Sequence, residues 1–93
     1  MLSQIPIKLK EVSQDFLDKE ILRVGMIAEL DAVNLYEQLA AATKNTAIKS
    51  VLLDIAKEEK THVGEFQALL LKEDQEQAEE LDKGKKEVEE LTE

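Results

Sequence analysis

Glu59 and His62 stand three residues apart in a 93-residue chain that has one histidine, and they interrupt an otherwise apolar row. The row reads Ile48, Leu52, Ile55, Glu59, His62, Phe66, Leu69, with steps alternating between four and three residues, which is the spacing of a single helix face. A helix over this stretch therefore carries a carboxylate and an imidazole on the side meant for burial. An ionised carboxylate buried without a partner costs several kcal/mol, so a partner is required. A metal cation satisfies both residue types at once. Glu-x-x-His on a helix is the spacing with which carboxylate-bridged di-iron and di-manganese bundles hold their metals.

A second carboxylate intrudes on an earlier apolar face. Leu22, Met26, Glu29, Val33, Tyr36 and Ala40 form one stripe, and Ile21, Gly25, Ala28, Ala32, Leu35 and Leu39 form its neighbour, so Glu29 sits among small and apolar residues. Between the two faces lies Thr43-Lys44-Asn45-Thr46, where Asn45 can take a left-handed C-terminal conformation and Thr46 can cap the next helix. So short a turn makes an antiparallel hairpin. Glu29 lies 16 residues before Asn45, while Glu59 and His62 lie 14 and 17 residues after it. At ~1.5 Å of rise per residue these positions are about 24, 21 and 26 Å from the turn, so the three share one level.

The rest of the chain bounds what these residues serve. Three Gly, one Pro and no Cys favour a single all-α domain and exclude thiolate ligands, leaving oxygen and nitrogen donors. With 35% of residues charged and 3% aromatic, so short a chain buries little core alone and an oligomer must supply the missing packing. A net charge of −9 argues against nucleic acid as a partner and makes cations the natural guests. No apolar run approaches a membrane span, and Met1-Leu2-Ser3-Gln4-Ile5-Pro6 lacks the features of a signal peptide, so the chain reads as soluble and cytoplasmic with no membrane partner.

The expected organisation is a hairpin domain over 1–71, with an irregular arm over 1–10, a helix over about 11–44 capped by Ser13, and a helix over about 46–71. Residues 72–93 form an acidic C-terminal helix or tether, with ten acidic and four basic residues; Asp74 and Gln77 resemble its capping pair and Gly84 weakens it. There is no internal repeat.

Glu29, Glu59 and His62 make a ligand set suited to Fe, Mn or Zn rather than to copper in a thiolate site. Three ligands are too few for a di-metal centre, whereas the set taken twice matches the known bundle arrangement, so a two-fold dimer completes both a four-helix core and the site. Glu58 and Glu65 also lie within a turn of His62, but Glu59 has the more apolar helical neighbours. Glu65 is either an outer ligand or an ordinary surface carboxylate. Tyr36, two turns from Glu29, is either a core aromatic or a hydrogen-bonding neighbour of a ligand. A lone Glu-x-x-His is a common coincidence, and the reading that rivals a metal site is a non-catalytic helical dimerisation or scaffold module.

Glu29-Leu30-Asp31-Ala32-Val33-Asn34-Leu35-Tyr36, followed thirty residues after Glu29 by Glu59-Lys60-Thr61-His62, resembles the encapsulated ferritins, the two-helix ferritin-like proteins housed inside encapsulin compartments. The likeness covers about 13–71. It implies a ferritin-like four-helix bundle formed by a homodimer, a ferroxidase di-iron centre shared across the dimer, a ring of dimers that makes a decamer, and iron stored by a surrounding encapsulin shell protein in a cytoplasmic nanocompartment. It also implies that Glu29, Glu59 and His62 are the iron ligands, that Tyr36 is the aromatic beside them, and that Asp31 stands on the route by which iron arrives. The chain departs from the family pattern at Leu35, where some members have Trp, and at Ala28, where another acidic residue is usual. The glycine-rich linker and apolar targeting tail of the family do not follow Glu93, which fits either a truncated sequence or a domain fused ahead of a shell protein.

Overall fold

The computed structural model describes residues 8–93, which form a 3-10 turn at Leu9–Glu11 followed by three helices, α1 at Gln14–Ala42, α2 at Thr46–Glu73 and α3 at Gln75–Thr92. No strand occurs among the described residues. The expected arm over 1–10 falls mostly outside them. The first long helix begins at Gln14 rather than near residue 11, because Ser13 keeps an extended backbone (φ −63°, ψ 145°) as N-cap. Its side chain caps nothing, and the turn is closed by the Phe16 N–H donating to the Ser13 carbonyl at 3.0 Å.

α1 and α2 run antiparallel as a hairpin of 29 and 28 residues. The turn between them corrects the roles expected for Asn45 and Thr46. Asn45 is not left-handed (φ −82°) and does not close α1; it is the N-cap of α2, its Oδ1 accepting from the backbone N–H groups of Ala47 at 3.0 Å and Ile48 at 3.1 Å. Thr43 ends α1, its N–H donating to the Leu39 carbonyl and its Oγ1 accepting from the Asn45 N–H at 3.1 Å. One asparagine oxygen thus satisfies two of the donors that a helix start leaves open, with no cost of positive φ.

The hairpin is thin. Its buried apolar residues are Val33 and Ala40 on α1 and Ala56 and Leu70 on α2, and no large side chain among the described residues is fully buried. Ala40 and Ala56 are the most enclosed, as small residues are where two helices approach closely. Meanwhile Ile48, Val51 and Leu69 are each at least half exposed on α2, and Phe16 and Leu30 are likewise on α1. So much uncovered apolar surface is unusual for a free monomer.

α2 extends two residues past the expected end at Leu71, and a single residue, Asp74, separates it from α3. The Asp74 N–H donates to the Leu70 carbonyl at 2.9 Å, and its Oδ1 accepts from the Gln77 N–H at 3.0 Å, so one residue ends one helix and caps the next. Its other oxygen accepts from Arg23 Nη2 at 2.7 Å, tying the junction to α1 across 51 residues of sequence. α3 is a regular helix straight through Gly84, and none of its residues is buried. The backbones of α1 and α3 do not come together, and a pocket of about 290 Å³ lined by Ile27, Leu30, Leu70 and Leu81 lies between them.

The Asp74 carboxyl is held below the ordinary carboxylate range, first by the Gln77 N–H and then by the hydrogen bond from Arg23 and the charges of Lys19 and Arg23, with partial burial pulling the other way. A lowered folded-state value means stability that is complete above the unfolded value, near ~3.9, and is lost as pH falls through the folded one. Asp74→Asn keeps the cap acceptor and removes the charge. The melting-temperature gap between parent and Asp74→Asn is expected to stay constant above about pH 5 and to shrink below about pH 4. A gap that survives unchanged to about pH 2.5 would show that the charge adds nothing.

Candidate metal centre

Glu29 projects from the middle of α1, and Glu59 and His62 project from the facing part of α2. Because the hairpin is antiparallel and its turn is short, residues at equal distances from Asn45 meet. The structure accordingly brings the three together, with one ligand atom from each lying within 4.8 Å of the others. His62 Nδ1 is 3.4 Å from Glu29 Oε2 and 3.5 Å from Glu59 Oε2. The first contact crosses between helices and the second runs along α2.

The two carboxylate side chains are about one fifth exposed, at 20% and 18%, and the imidazole is 43% exposed. The imidazole is their only polar partner among the described residues, since the cross-helix cation nearby, Lys60, pairs at 3.2 Å with Glu37 instead. Two anionic groups and one nitrogen therefore converge with no Lys or Arg to balance them. That donor set fits a cation with oxygen and nitrogen preferences, such as iron, manganese or zinc. A ligating imidazole nitrogen must be unprotonated, so the ring that faces the carboxylates through Nδ1 would carry its proton on Nε2.

The other candidates are placed differently. Glu58 is exposed and lies outside the group. Glu65 is exposed too, but it lines a pocket of about 290 Å³ together with Glu29, His62, Phe66 and Leu69. Tyr36 is half-buried and makes no hydrogen bond to any of the three. Asp31 is 6% exposed and, two residues from Glu29, projects from a different side of α1.

Sequence periodicity placed Gly25 and Phe66 on the two inner stripes without pairing them. In the structure the Phe66 ring lies directly against Gly25, one turn from the three polar residues. The signal was present in the counting: Gly25 is 20 residues before Asn45 and Phe66 is 21 after it.

A family model described as Rubrerythrin matches residues 20–93. The ferritin-like-encapsulin shell fusion protein of Pyrococcus furiosus is 59% identical over 73 residues, which are 78% of this chain and 21% of that protein. The encapsulin nanocompartment cargo protein EncC of Myxococcus xanthus is 40% identical over 57 residues, 61% of this chain and 44% of that one. The chain thus spans about a fifth of the first curated relative and under half of the second. The crystal structure of the encapsulated ferritin domain from Pyrococcus furiosus superimposes with a TM-score of 0.84 and 50% identity, covering 99% of this chain and 96% of that one.

A redox-inert probe tests the donor set. If Zn(II) binds the folded protein through these residues, it is expected to stabilise the protein by ~2.7 kcal/mol at a free concentration a hundredfold above its dissociation constant. His62→Ala should remove most of that increment in a thermal melt. An equal increment in the variant would place the zinc elsewhere.

Proposed function

The chain belongs to the rubrerythrin family, as a ferritin-like domain of the encapsulated ferritins, and from that premise we propose that it is a ferroxidase that passes electrons from Fe(II) to dioxygen. The observation that carries the reading is the convergence of Glu29, Glu59 and His62 from two helices with no balancing Lys or Arg. Anionic oxygen donors favour the ferric state over the ferrous, so such a site lowers the energy needed to remove an electron from bound iron. Iron is here both substrate and occupant. The chain's own part is to bind and orient it: Glu29 from α1, Glu59 and His62 from α2, with Phe66 and Leu69 forming an apolar side to the pocket.

One chain offers three ligands, which is half of what a di-iron bundle centre uses. The site lies on the same face of α2 as the exposed Ile48 and Leu69, so apposing two copies through this face would cover the apolar stripe and complete the ligand set together. We take the working unit to be a homodimer forming a four-helix bundle, with dimers assembling further into a ring, a decamer by likeness to the family. The curated relatives are named for encapsulin, one as a shell fusion and one as nanocompartment cargo. By extension this domain acts inside an encapsulin nanocompartment, where the shell holds the oxidised iron and the acidic α3 serves as tether. Among the described residues no helix is long and apolar enough to cross a membrane.

The exposed stripe also supports a second reading, a helical dimerisation scaffold in which the polar groups on the seam only select the partner. Iron oxidation separates the two. Aerobic Fe(II) mixed with the protein should form Fe(III) faster than in buffer, and His62→Ala or Glu59→Ala should each remove most of the excess rate, by a factor on the order of 100. Folded variants that oxidise iron as fast as the parent would leave the scaffold reading standing.

Assembly gives an independent handle. A two-fold dimer places four carboxylates from Glu29 and Glu59 in one confined space, and a divalent cation relieves their repulsion. Sedimentation of dilute, metal-free protein is expected to show monomer that Fe(II), kept anaerobic, converts to dimer and larger species. Glu29→Gln with Glu59→Gln, which keeps volume and removes charge, should assemble without metal. A parent profile indifferent to metal, at concentrations where monomer is present, would sink the shared site.

A further inference from the structure

Of the three glycines, two have open space where a Cβ would be, and one does not. A Cβ at Gly64 or Gly84 would meet nothing within 4 Å, whereas at Gly25 it would lie 2.9 Å from Phe66 Cε1 and 3.0 Å from both Cδ1 and Cζ. Side chains essentially never sit so close, so the ring occupies the volume that any other residue at position 25 would fill. Gly25 has no special backbone angle to justify it, since no described glycine has a positive φ. Within a helix interior a glycine costs about 1 kcal/mol relative to alanine, and here the close approach of a ring is what it permits.

The position of this contact relates it to the metal centre. Gly25 is one turn before Glu29 on α1, and Phe66 is one turn after His62 on α2, so the contact forms the next layer of the same helix seam. Side chains on a helix lean toward its N-terminus, so Phe66 leans toward His62 and Glu29 leans back toward the level of Gly25. The pocket between them is lined by Glu29, His62 and Phe66 together. A ring driven off Gly25 has that pocket as its free space, and moving there brings it against the two ligands.

We propose that Gly25 and Phe66 act as a spacer that sets the separation of α1 and α2 at the metal-binding level, making Phe66 a positioning residue for Glu29 and His62. The proposal rests on the metal-site reading above and adds a specific determinant to it. Ligands contributed by two helices hold a cation tightly only if the helices are the right distance apart, and a ring resting on bare backbone fills the seam at that level and so fixes the distance. Hydrogen-bonding residues that orient metal ligands typically contribute a factor of about 10 to 100 in metal affinity, which sets the scale for a residue that positions them by contact.

The test is a double-mutant cycle on the full chain, read by Co(II) titration. The visible absorption of Co(II) reports both affinity and coordination number, and no catalytic turnover is involved. Gly25→Ala is expected to weaken Co(II) binding by about tenfold and to alter the band intensity of the saturated protein. Phe66→Leu alone removes the spacer and is expected to weaken binding about threefold or more. Combining them puts a methyl where the ring was, and binding should return to within about threefold of the parent, with the parent band restored. Helix content and melting temperature of each variant identify any loss due to unfolding, which would not be accompanied by recovery in the double variant. Unchanged affinity in Gly25→Ala, or a double variant as weak as the product of the singles, overturns the spacer. A parent that fails to bind Co(II), or binds it equally after His62→Ala, overturns the metal site itself, and the spacer's role falls with it.

Discussion

Two carboxylates on facing helices repel each other, and here nothing but an imidazole lies between them. Like unit charges about 5 Å apart repel by roughly 3 kcal/mol at an effective dielectric of 20, a sizeable fraction of the stability of a small domain. Lys60, which follows Glu59, pairs across the two helices with Glu37 instead. Glu29 and Glu59 are thereby left as a concentrated acceptor site. The surrounding structure has to hold them in place against their own repulsion, and the features that do so are the short turn, the close helix seam and the apolar layers above and below.

Those features are economical. The seam holds the buried alanines at positions 40 and 56 on the turn side of the polar layer and Gly25 beneath Phe66 on the other. Little apolar volume is enclosed in the process. Among the described residues four apolar side chains are buried while Ile48, Val51 and Leu69 stay at least half exposed, and the exposed Ile48 and Leu69 share the face of α2 that carries Glu59 and His62. Binding chemistry and association are therefore not separable properties of this hairpin in the reading developed above.

Much of this could be read before the structure, for reasons that differ from residue to residue. The meeting of Glu29 with Glu59 and His62 follows from one turn position and a fixed rise per residue, both robust to small errors, and the same counting pairs Gly25 with Phe66. Asp74 and Gln77 were legible as a cap because capping is local. The role of Asn45 is ambiguous in sequence because asparagine suits a helix end and a helix start alike, and only the backbone angle distinguishes them. The Arg23 to Asp74 bond was invisible: it joins residues 51 apart through a helix direction that no periodicity reports. The continuity of the last helix was hard to read, since Gly84 and sparse apolar positions weaken it while the cap at Asp74 favours it; it runs unbroken from Gln75 to Thr92.

The junction at Asp74 has a mechanical meaning. An 18-residue helix is about 27 Å long, so α3 is a lever arm pivoting on one residue, and a tilt of about 10° at Asp74 carries the Thr92 end through roughly 5 Å. The two bonds made by a single carboxylate, one to Arg23 and one to Gln77, resist that tilt close to the fulcrum, where a small displacement corresponds to a large swing. The direction in which the far end of α3 points is thus set close to Asp74, where the Arg23 ion pair is the restraint that reaches across to α1.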